Sequence, residues 1–137
     1  MVPRSPECEE LELELPSKAA SVATARSAAA DLAGSVGASV ADVKLAVSEA
    51  VGNAVLHAFR GRAPGLVRIN ARTDRARLFV TVSDDGTGMR PNLQSPGLGL
   101  GLSLITKLAE DVRFDSTAQG TTVTMSFPLS GDHGGEG

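Results

Sequence analysis

Glu49, Asn53 and His57 interrupt an otherwise largely apolar stretch, Leu45-Ala-Val-Ser-Glu-Ala-Val-Gly-Asn-Ala-Val-Leu-His-Ala-Phe59. At about 100° per residue they fall at i, i+4 and i+8 on one stripe of a helix. Val43, Val47, Ala50, Ala54 and Ala58 form the adjoining stripe, while Val51, Val55 and Phe59 make much of the remainder apolar. A carboxylate and an amide in so apolar a helix need partners, because burying them unpaired is costly. The alternative is a stripe that faces solvent. A second cluster, Ser83-Asp84-Asp85-Gly86-Thr87-Gly88, directly follows the strand-like Leu78–Val82. It sets an acceptor beside a backbone that Gly86 and Gly88 let approach a ligand closely; Asp-Gly is also a common surface turn.

A third segment, Pro96-Gly-Leu-Gly-Leu-Gly-Leu-Ser103, leads into a helical pattern. Small residues before a helix leave its first N–H groups open to an anion, with the dipole favouring negative charge. There is no Gly-Lys-Ser/Thr, and the glycines read G-x-G-x-G rather than G-x-G-x-x-G straight off a strand. Both common phosphate-loop fingerprints are therefore excluded. A flexible linker is the other reading, although the alternating leucines count against it. Gly120-Thr121-Thr122 opens the last strand pattern, where a hydroxyl can reach a ligand but Thr is also simply a good strand former.

These pieces must be positioned by a scaffold that periodicity outlines. Glu10 to Leu15 alternates leucine with glutamate, a half-exposed strand. Ser17 is expected to cap a helix running to about Gly34 on Val22, Ala25, Ala29 and Leu32. Ser39 with Asp42 starts a second helix, expected to reach Phe59 or Arg60 and stop at Gly61. Leu66–Thr73 and Arg77–Ser83 read as a hairpin around Asp74-Arg75-Ala76. Leu98–Glu110 reads as a helix on Leu102, Ile105, Leu108 and Ala109, followed by strands Val112–Ser116 and Thr121–Pro128. The order β, α, α, β, β, α, β, β implies an α+β fold: a two-layer sandwich with a mixed β-sheet and helices packed on one face. The expected division is a tail over 1–8, one domain over 9–129 and a Gly-rich tail over 130–137.

Composition narrows the functional classes. The 137 residues suit one domain, and 42% apolar with 21% charged residues is an ordinary globular balance. With no Trp or Tyr, the core must be built from Ala, Val and Leu in close helix–sheet contact. A net charge of −3 without a basic stripe or stacking aromatics argues against direct nucleic-acid binding. No run is apolar enough to span a bilayer, and no signal-peptide pattern opens the chain, so no membrane association is expected. Cys8, the sole cysteine, excludes an intramolecular disulfide and fits a reducing compartment; the expected location is cytoplasmic.

Taken in order, the four clusters resemble the motif set of GHKL (Bergerat-fold) ATP-binding domains, which includes sensor histidine kinases, gyrase and MutL. Glu49-x-x-x-Asn53 is similar to the N box, Asp84-x-Gly86-x-Gly88 to the first glycine box and Gly97-Leu-Gly-Leu-Gly-Leu102 to the second. Gly120-Thr121 is similar to the late Gly-Thr segment, so the resemblance runs from about residue 40 to 128. It implies ATP and Mg²⁺ as cofactors. Asp84 would accept from the adenine amino group, with Gly86 and Gly88 passing close to the base. Asn53 would supply an oxygen to Mg²⁺. The segment from Gly97, through Gly99, Leu100, Gly101 and Leu102, would offer backbone N–H groups to phosphates, and Thr121 a hydroxyl. Glu49 would orient or deprotonate the attacking nucleophile. His57 lies where relatives often carry a ring, as a wall of the site.

Within that family, the N-terminal strand and helix together with Leu45–Phe59 are most similar to the anti-sigma serine kinases of the RsbW/SpoIIAB group. The resemblance implies a homodimer that holds an RNA polymerase sigma factor and phosphorylates Ser or Thr on a STAS-domain anti-sigma antagonist. Leu56 stands where histidine kinases tend to carry Lys, and neither His57 nor His133 suits a phospho-acceptor helix. The stretch from Met89 to Pro96 is short and contains Pro91 and Pro96, which argues against a long lid. Two other readings stay open: a binding module that holds ATP with little turnover, and a stand-alone histidine-kinase-type catalytic domain.

Overall fold

A computed structural model describes residues 10–58, 65–85, 104–117 and 120–129 of the chain. Strand β1 (Glu10–Pro16) is followed by helices α1 (Ala19–Val36) and α2 (Val40–Asn53), and a π-helical turn (Ala54–Ala58) extends α2. Strands β2 (Leu66–Thr73), β3 (Arg77–Asp84), β4 (Asp111–Thr117) and β5 (Gly120–Pro128) complete the sheet. Its order is β1-β2-β3-β5-β4. All four pairings are antiparallel. The α+β class and the helical layer on one face are as expected. The expected mixed sheet is corrected to an antiparallel one, because β3 and β5 pair as antiparallel neighbours despite the helical pattern between them.

Alternation determines which face of each strand is buried. Val67, Ile69, Ala71 and Thr73 of β2 point inward, as do Leu78, Val80 and Val82 of β3 and Val123, Met125 and Phe127 of β5. Leu11, Leu13 and Leu15 pack against the same core, while Glu12 and Glu14 stay exposed. The helical layer meets the sheet through small residues. Ser21, Ala25, Ala29 and Ala33 recur every four positions on α1 and are all buried. They let α1 lie close against α2, which contributes Val43, Ala46, Val47, Ala50 and Val51 to the same core.

The helix ends follow from local chemistry, with one correction. Gly37 sits at φ 89°, and its N–H and that of Ala38 both donate to the Ala33 carbonyl, ending α1 at Val36, two residues beyond Gly34. Ser39 Oγ accepts from the Asp42 N–H at 3.2 Å, the cap expected for α2. Ser17 does not cap α1. Its hydroxyl accepts from the Gly65 N–H at 3.1 Å and its own N–H donates to the Gly65 carbonyl at 3.0 Å, so it ties β1 to the entry of β2. Lys18 takes the capping position with no side-chain bond, and Ser21 Oγ donates to the Pro16 carbonyl.

The β2–β3 turn matches expectation. Asp74 Oδ1 accepts from the N–H groups of Ala76 and Arg77, each at 2.8 Å, and this holds its carboxyl below the usual carboxylate value of 3.8. Of the helix expected over Leu98–Glu110, residues 104–108 are described and helical, with Ile105 and Ala109 buried. That helix ends before Glu110, whose N–H donates to the Ser126 carbonyl just ahead of β4.

Candidate functional site

The inward column of the β3–β5 pair is apolar for three steps and then changes. Leu78 stands opposite Phe127, Val80 opposite Met125 and Val82 opposite Val123, and the next rung is Asp84 opposite Thr121. Both polar residues are buried, Asp84 to 7% exposure and Thr121 to 2%. Asp84 is also in register with Val67 on β2, which puts the aspartate at the end of a central strand with a neighbour on each side. Thr121 Oγ1 lies 3.2 Å from Ser116 Oγ on β4. Two residues singled out from separate motifs are thus cross-strand partners.

Gly120 explains how the chain reaches that rung. Its φ of 147° is one that L side chains rarely adopt. A Cβ built there would overlap the Asp84 carbonyl oxygen and come within 3.0 Å of the Asp85 Cα. The glycine therefore lets the start of β5 press directly on the backbone that carries Asp84. Sequence reasoning noted Gly120 as part of a Gly-Thr pair and assigned the ligand role to Thr121. The Gly-Thr signal was present, but the close approach depends on β3, distant in the chain.

The helical side of the site comes from α2. Glu49 and Asn53 both lie in its regular α-helical part, so the i, i+4 relation holds. Glu49 is half-buried, whereas Asn53, the last residue of α2, is only 8% exposed. No hydrogen bond joins the Asn53 amide to any described residue. A buried amide left without a partner costs about 1–3 kcal/mol. Immediately beyond it the helix widens into the π turn Ala54–Ala58, which packs on both β3 and β5. Such turns are frequent at functional sites, and no residue in Ala-Val-Leu-His-Ala announces one. The regular α-helical period therefore stops before His57, whose side chain lies outside the described residues.

Gly86, Gly88, Gly97, Gly99, Leu100, Gly101 and Leu102 also lie outside the described residues. On the opposite face of the sheet, Arg68 Nε is 3.0 Å from Glu14 and its Nη2 4.0 Å from Asp85. These exposed pairs contribute little to stability. No helix among the described residues is long and apolar enough to cross a membrane.

The antiparallel sheet with its helical layer agrees with the fold of known proteins. Residues 15–127 match the histidine kinase-like ATPase domain, and the chain belongs to that family, the GHKL type read from its motifs. It is similar to the serine-protein kinase RsbW of Listeria innocua, 31% identical over 136 residues and covering 86% of each chain. It is also similar to the anti-sigma F factor of Clostridium novyi, 31% identical over 104 residues, 66% of this chain and 71% of that one. Among solved structures it resembles the RsbU and RsbW domains of a Mycobacterium tuberculosis protein, with a TM-score of 0.71 and 25% identity. That match covers 88% of this chain and 32% of the other. The histidine kinase domain of a blue-light activated kinase from Erythrobacter litoralis superposes with a TM-score of 0.60 at 29% identity, over 85% of this chain and 62% of that one.

Proposed function

We propose that this chain binds ATP with Mg²⁺, transfers the γ-phosphoryl group to a Ser or Thr of a STAS-domain anti-sigma antagonist, and holds a sigma factor inactive. The observation that carries the reading is the buried Asp84–Thr121 rung beside Gly120 on β3 and β5, the two strands on which the π turn following Asn53 packs. The similarity to proteins named anti-sigma F factor and serine-protein kinase RsbW supports it.

The residues present suit the nucleotide and its ion. A buried carboxylate at a strand end can accept from an adenine amino group, a contact that guanine does not offer in the same place. The Asn53 amide, buried and without a described partner, offers an oxygen of the hard type that Mg²⁺ takes. When bound, the ion offsets the charge on the phosphates. Thr121 adds a hydroxyl beside Asp84, and the Gly97–Leu102 segment is assigned the phosphate contacts through its N–H groups.

Glu49 lies one helical turn before Asn53 and is open enough to meet a group from another protein. In the transfer, the acceptor oxygen forms a bond to the γ-phosphorus as the bond to the bridging oxygen breaks. ADP leaves, and the acceptor proton passes to Glu49. The hydroxyl comes from the partner, so the arrangement is complete only in that complex.

Incubation with γ-labelled ATP, Mg²⁺ and the STAS-domain proteins of the same cell is expected to give acid-stable label on Ser or Thr, lost in Glu49→Ala. Acid-labile label on a His would point to a histidine kinase instead. ATP binding without transfer to any protein, unchanged in Glu49→Ala, would leave a regulatory binding module.

A further inference from the structure

The outer face of α2 departs from the polar surface that a helix normally turns to solvent. Val40 and Leu45 are 42% and 44% exposed there. With Ala41 they floor a groove between α1 and α2, flanked by Arg26 and Lys44 and reaching Glu49 at its end. Neither Arg26 nor Lys44 forms an ion pair among the described residues, whose pairs involve Arg68 and Arg77. Gly52 prolongs the same stripe seven residues after Leu45, and a Cβ added to it would meet nothing within 4 Å. The stripe Ala41, Leu45, Gly52 is thus open along its length.

We propose that this groove seats an acidic amphipathic helix of the protein that supplies the acceptor hydroxyl, an inference that rests on the kinase reading above. Three features select that occupant. The apolar floor suits anchors spaced at i and i+4. The two cations, neither in an ion pair among the described residues and one a guanidinium able to grip a carboxylate in two places, suit acidic flanks. The groove also leads to the half-buried Glu49, so a segment lying in it is held beside the residue that must receive the acceptor proton.

The test uses the full chain, ¹⁵N-labelled, and two synthetic amphipathic peptides of about 16 residues, long enough to form a helix. One presents Leu and Ala opposite Glu, the other Leu and Ala opposite Lys. The Glu peptide is expected to shift the amide signals of Arg26, Val40, Lys44 and Leu45, and the Lys peptide to leave them in place. Equal responses to both peptides, or shifts confined to another surface, would overturn the proposal. So would groove signals that move with protein concentration before any peptide is added, since a second copy would then fill the groove.

With the unphosphorylated acceptor protein as substrate, Leu45→Glu and Lys44→Glu are each expected to raise its KM about tenfold, the effect of losing one good interface contact. The Kd for ATP and kcat at saturating acceptor should stay unchanged. A fall in kcat with KM unchanged would overturn docking. If the wild-type chain phosphorylates no protein, the kinase reading fails, and the peptide mapping still decides the groove.

Discussion

The two ends of the β3–β5 pair are built on the same register yet serve different ends. At one, Leu78 and Phe127 face each other in the core; at the other, Asp84 and Thr121 occupy the equivalent inward rung and are buried as well. An apolar rung gains from burial directly. A carboxylate and a hydroxyl there lose hydration and must recover it through specific partners. The polar end also requires Gly120 at φ 147° for the backbone to close in. Stability is therefore concentrated at the Phe127 end, and the recognition proposed above at the Asp84 end.

Substitutions can break this division. Phe127→Ala should have the largest effect, a loss of about 3–5 kcal/mol from transfer and cavity terms, read by urea denaturation. The molecules that remain folded should bind ATP as before; a separate loss of affinity would blur the two ends. Asp84→Asn should do the reverse. Calorimetry is expected to show ATP affinity down tenfold or more, in line with about 1.5–3 kcal/mol for a hydrogen bond to a charged group. Unchanged affinity would remove Asp84 from adenine recognition.

Gly120→Ala tests the link between backbone and site. The forced φ alone costs about 1–3 kcal/mol, and ATP affinity should fall along with the thermal midpoint as Asp84 is displaced. A substitution neutral in both would show that the close approach is not needed. The smallest effect is expected at the turn that enters β3 at its other end. There the hydrogen bonds from Ala76 and Arg77 lower the Asp74 pKa, so their contribution to stability is complete above the ordinary value of 3.8. It is lost as pH falls through the lower folded value. The stability gap between wild type and Asp74→Ala should be level from about pH 7 to 5 and shrink below about pH 4. A gap still unchanged near pH 2 would mean that the turn does not use the carboxylate charge.

The elements were legible where one local signal decides the backbone. The leucine–glutamate alternation of β1, the Ser39 cap and the Asp74 turn each act over a few residues, and each appears where expected. Ser17 misled because a Ser after Pro at the start of a helical pattern suits a cap, while its actual partner, Gly65, is far along the chain. The π turn after Asn53 was invisible for a related reason. Its five residues suit an ordinary helix, and packing on β3 and β5 accompanies the wider turn. The pairing direction of the sheet likewise depends on how the chain returns between β3 and β5, which periodicity does not encode.

The sequence by itself determined the residue types of the site and their order, Glu49 with Asn53, then Asp84, then Thr121, because motif spacing is a property of the chain alone. It also determined which face of each strand is apolar. Tertiary structure decided that Asp84 and Thr121 share a buried rung, that Gly120 must lack a Cβ, and that Asn53 is buried while Leu45 is left open. Those outcomes depend on contacts between segments distant in sequence, and burial is settled only when the neighbours arrive.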